Sequence, residues 1–157
     1  MRSLWIPVLA CIVACAEAEA DLCASSEAGV QLGSGEDAFV PMDDGDDALL
    51  VHGPQGGYHL DVGLAATGLV QTDRVLATLT GTLDDVELAR VVVPVTFRCD
   101  APTGRWLAWG MRLVYGAQPE ELDERDTVVR VALEGPDGIL EDELALHIVD
   151  LLVPEVP

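Results

Sequence analysis

Tyr58-His59-Leu60-Asp61-Val62-Gly63-Leu64 is the clearest alternating run in the 157 residues, and its reading decides the fold. Successive side chains of an extended chain point to opposite faces, so Tyr58, Leu60, Val62 and Leu64 share an apolar face and His59, Asp61 and Gly63 share the other. That pattern is a half-buried β-strand. Outward from it the same grammar repeats, with short β-branched or leucine-rich runs separated by Gly, Pro and Asp. Upstream, Gly29–Leu32, Ala38–Met42 and Ala48–His52 read as strands, the last two joined across the acidic turn Asp43-Asp44-Gly45-Asp46-Asp47. Downstream, Arg74–Leu83 and Val86–Cys99 follow. The second changes apolar phase near Arg90–Val92, after which Val91, Val93, Val95, Phe97 and Cys99 share a face. Pro94 cannot donate a ladder hydrogen bond and marks an edge or a bulge.

Arg105–Tyr115 points Leu107, Trp109, Met111, Leu113 and Tyr115 inward and leaves Trp106, Ala108 and Arg112 outside. Trp106 is then the exposed aromatic, covering the edge of the sandwich or, as the alternative, anchoring an envelope protein or glycan. Thr127–Glu134 and Ile139–Val153 flank Gly135-Pro136-Asp137-Gly138, the strongest hairpin signal. No long helix is expected. The pattern predicts an all-β fold, a single Greek-key sandwich of about eight or nine strands, similar in architecture to immunoglobulin-like domains.

Eight basic residues stand against 28 acidic ones, a net charge of −20. Phosphate backbones need a cationic surface, so nucleic acid is excluded as a partner and cations or basic molecules are favoured. Lysine and asparagine are both absent. That removes a Schiff-base lysine, a Walker-type phosphate loop and N-glycosylation sites.

The N-terminus has the layout of a secretory signal: Arg2, an apolar run from Leu4 to Ala14 broken by Pro7, then charge at Glu17. The run is short of the roughly 20 apolar residues that span a bilayer. Its close, Ile12-Val13-Ala14-Cys15, resembles the lipobox of bacterial lipoproteins. The resemblance implies cleavage before Cys15, a diacylglycerol on the Cys15 thiol and, with Ala16 following, residence at the outer membrane. Cleavage within the small residues Ala14 to Ala20 would instead give a periplasmic or secreted protein. On the lipoprotein reading residues 1–14 are the signal, 15–26 a lipidated cysteine and acidic tether, and 27–157 the sandwich. Cys11 leaves with the signal and Cys15 carries lipid, so Cys23 and Cys99 remain. In an oxidising compartment that pair suggests a disulfide, the alternative being two buried thiols.

Two stretches offer sites. The Gly/Pro loop carrying Gln55, bracketed by His52 and by His59 with Asp61, is the expected ligand loop, since loops on rigid sandwiches often carry function. Asp43, Asp44, Asp46 and Asp47 concentrate oxygen ligands suited to calcium, although the spacing fails the EF-hand pattern. Gly33-Ser34-Gly35 lacks the spacing of a nucleophile elbow. The expectation is therefore a lipid-anchored envelope protein with a binding or structural role, neither enzyme nor cofactor carrier. Its alternatives are a calcium-dependent adhesion or assembly module and a secreted hydrolase.

Overall fold

The computed structural model describes Cys23 and residues 27–151 apart from 55, 71–74 and 137. Residues 1–14, Cys15 and Gln55 lie outside the described residues. Eleven strands are described, β1 (Gly29–Ser34), β2 (Val40–Pro41), β3 (Asp47–Leu49), β4 (Val51–His52), β5 (Tyr58–Thr67), β6 (Val75–Leu83), β7 (Val86–Val95), β8 (Arg98–Asp100), β9 (Arg105–Tyr115), β10 (Arg125–Gly135) and β11 (Gly138–Val149). A four-residue helix, α1 (Pro119–Leu122), precedes β10. Among the described residues no helix is long and apolar enough to cross a membrane.

The strands form two packed sheets. One runs β2-β1-β5-β9-β8, with β4 also on β5, and the other runs β3-β11-β10-β6-β7. Without the short β2, β3 and β4, the orders β1-β5-β9-β8 and β11-β10-β6-β7 are the A-B-E-D and G-F-C arrangement of an immunoglobulin-like sandwich, β7 being an added strand beside C. All pairings are antiparallel except that of β3 with β11.

Two segments read as single strands change sheets. Ala48–His52 divides at Leu50, with β3 on β11 and β4 on β5. Val86–Cys99 divides at Thr96 and Phe97, sending β7 to one sheet and β8 to the other. These splits raise the strand number above the expected eight or nine. Pro94 does lie in an edge strand, but the irregularity in β7 falls at Leu88, earlier than Arg90–Val92, because Gly81 and Thr82 of β6 face Ala89 and Glu87.

The core is the facing interiors. Leu32, Leu60, Leu64 and Leu113 of one sheet meet Leu79, Val129, Val131, Leu133 and Ile148 of the other, all buried. The inward set predicted for β5 holds. In β9 the phase is right from Met111 onward and inverted before Gly110. Val62 pairs Met111 but Leu64 pairs Ala108, so Trp109 and Gly110 together face Gly63. This β-bulge flips every preceding side chain, and Gly110 sustains it at φ 75°. Trp106 and Ala108 are consequently buried. Trp106 Nε1–H donates to Leu69 O at 3.2 Å, so it is not the exposed anchor the alternation suggested.

Cys23 and Cys99 form a disulfide with Cα atoms 5.9 Å apart, pinning the segment before β1 to β8. Cys99 stands opposite Trp106 in the ladder. It is not the inter-sheet bridge of antibody domains, which joins the strands equivalent to β5 and β10.

Candidate functional site

The edge of the first sheet is broken beside β5. β1 pairs with β5 as far as Ser34 opposite Val62, and β4 resumes with Val51 opposite His59. Leu60 and Asp61 thus have no neighbouring strand on that side. Behind the break lies a cavity of about 260 Å³ between the sheets. Leu32, Leu60 and Val62 wall it on one side and Val129, Leu144 and Leu146 on the other, with Met42 and Ala48 at its flank. Its polar lining comes from Ser34, Glu36, Asp47 and Asp61. Beside it the two sheets are tied where Leu32 N–H donates to Asp142 Oδ2 at 2.7 Å, an inward-facing carboxylate of β11.

His59 and Asp61 meet as the sequence suggests, with Nε2 3.4 Å from Oδ1. They do not stand on an open face, for His59 is 7 % exposed. The reason is a segment that alternation alone cannot place. After β1 the chain folds back over the sheet, Gly110 N–H donating to Gly35 O at 2.9 Å. The Phe39 ring settles over Gly33 and Gly63, where side chains would lie 2.6 Å and 3.1 Å from ring carbons. Arg105 lies over that ring at 5.7 Å and donates to Gln31 Oε1 at 2.7 Å. Arg112 Nε is 3.9 Å from Asp61 Oδ1, and Arg112 Nη2 is 4.0 Å from Glu36 Oε1. Both are loose contacts, and Asp61 Oδ1, shielded from solvent, accepts no hydrogen bond from the described residues.

Among the described residues of the expected ligand loop, His52 stands apart from His59 and Asp61. Its Nε2 lies 2.7 Å from Asp150 Oδ2, a carboxylate with no exposed surface, and its ring meets Tyr58 edge-on with centroids 4.8 Å apart. The acidic turn likewise disperses. Asp46 Oδ2 accepts from Asp43 N–H at 2.8 Å, and Asp44 Oδ1 accepts from Ala145 N–H at 2.8 Å, latching the turn to β11. Among the described residues no three His, Cys, Asp or Glu side chains gather as metal ligands. Asp43, Asp44, Asp46 and Asp47 therefore do not converge on a calcium site here.

The third histidine, His147, lies 2.9 Å from Asp126 Oδ1 and 3.5 Å from Glu124 Oε2 on the solvent side of β11. The hydrogen bond to Asp126 raises its pKa above the ordinary imidazole value, with Glu124 adding to the effect. Sequence reasoning missed Arg112, Met42 and Leu144 as parts of the site. The signal available was the pair of glycines, Gly33 and Gly63, placed where strands usually carry side chains. No protein-family model and no curated protein matches the chain.

Proposed function

We propose that this is a lipid-anchored envelope protein whose sandwich binds a small apolar ligand in the cavity behind the β1–β4 break, without bond chemistry. The cavity carries the reading. A packed interior seldom keeps a void much larger than a water molecule, whereas an apolar cavity of about 150 Å³ already admits benzene. About 260 Å³ between the sheets, opening where an edge strand is interrupted, is the form a ligand site takes. In support of binding over hydrolysis, the close partners of the three histidines are the carboxylates of Asp150, Asp61 and Asp126, and among the described residues no hydroxyl or thiol is hydrogen-bonded to them. Anchoring and outer-membrane residence rest on Ile12-Val13-Ala14-Cys15.

Benzene near saturation is expected to raise the thermal midpoint of the wild-type protein, and Ala48→Phe, which fills the cavity from β3, to lose that response. An unchanged wild-type midpoint would remove the ligand site. Intact mass of the mature protein is expected to show an acylated, blocked Cys15. An unmodified chain starting elsewhere would remove the anchor and leave the cavity reading standing.

A further inference from the structure

We infer that the cavity's ligand is a single-chain amphiphile with a cationic head, of the alkylammonium type, its chain between the sheets and its head beside Asp61. The inference rests on the proposed ligand site and adds the ligand's chemistry. The doorway is narrow, since β5 is without a neighbour only at Leu60 and Asp61 before β4 resumes. Such an opening suits a chain entering end-on. The interior walls are aliphatic, and Met42, unbranched and adaptable, lies at the flank where an entering chain needs room.

Charge selects the head. Glu36, Asp47 and Asp61 supply three carboxylates to the lining, and the basic groups set against them are His59, 3.4 Å from Asp61, and Arg112, loosely placed toward Asp61 and Glu36. Among the described residues Asp61 Oδ1 is shielded and still lacks a hydrogen bond, which an ammonium N–H would provide as a charge-assisted one. A carboxylate or phosphate head would meet like charge at the mouth of an already acidic protein, and a neutral head would gain nothing from it.

Isothermal titration of the full-length protein with octylammonium, octanol and octanoate tests this. Octylammonium is expected to bind at least about tenfold more tightly than octanoate at low salt, with the advantage shrinking as added salt shortens the Debye length. Asp61→Asn, which keeps the side-chain shape, is expected to bring octylammonium affinity toward that of octanol. The wild-type head-group series needs no variant and so is independent of folding. Octanoate binding as tightly as octylammonium would overturn the cationic head and leave the ligand site intact. Failure of all three alkyl probes together with benzene would take the ligand site down as well.

Discussion

Replacing Cys23 and Cys99 together by alanine opens a covalent loop whose ends are 76 positions apart. A cross-link of that length restricts the unfolded ensemble by roughly 15 cal/mol/K in the loop-closure treatment, about 4.5 kcal/mol at 25 °C. Packing adds to the loss, because Cys23 has no exposed surface and Cys99 is half-buried opposite Trp106. Domains of this size hold only about 5–15 kcal/mol in total, so the change removes a third or more of the margin. Urea denaturation of wild type and of the double variant is the direct assay. The midpoint is expected to fall by the equivalent of about 4.5 kcal/mol or more, and the slope m to rise, since an unlinked chain exposes more surface when unfolded. A variant that stays folded and loses under about 1 kcal/mol would refute the argument, because it would mean the denatured chain is as constrained without the bridge as with it.

Gly110→Ala tests the bulge: an L side chain at φ 75° is strained, and its Cβ would lie 3.2 Å from Glu36 O. A loss of about 1–2 kcal/mol in urea midpoint is expected, against near neutrality if the bulge relaxes. His147→Gln tests the surface imidazole. Its folded-state pKa lies above the ordinary 6.5, so its contribution is full below that value and fades as pH rises through the raised one. Wild type should therefore exceed the variant by more at about pH 5.5 than at about pH 8.5, and an equal difference at both would remove the linkage.

The two-sheet architecture was legible because strand alternation and turn chemistry are local, and residues such as Leu60, Val62, Leu113 and Val131 announce their side by spacing alone. Sheet changes were not legible. Leu50 sits in an unbroken apolar run and Phe97 continues the alternation of Val91, Val93 and Val95, so only partner strands decide that the chain hops there. The bulge at Trp109–Gly110 hid for a related reason, since one extra residue inverts a face without disturbing the alternation that precedes it. The candidate site was half legible. His59 and Asp61 met because two residues along one strand must share a face, whereas the return of Phe39 over Gly63 depends on a loop with no period.

The two sheet changes lie on opposite flanks of the sandwich, β3 to β4 beside β1 and β11, and β7 to β8 beside β9. Chain continuity therefore laces the sheets along both long sides. A sandwich so laced cannot swing open like a book, and any breathing motion must shear both seams together. Passage into the cavity is then left to side chains at the doorway, with Met42 having the most torsions of the apolar lining groups. The interior can exchange its contents while the two sheets keep their spacing.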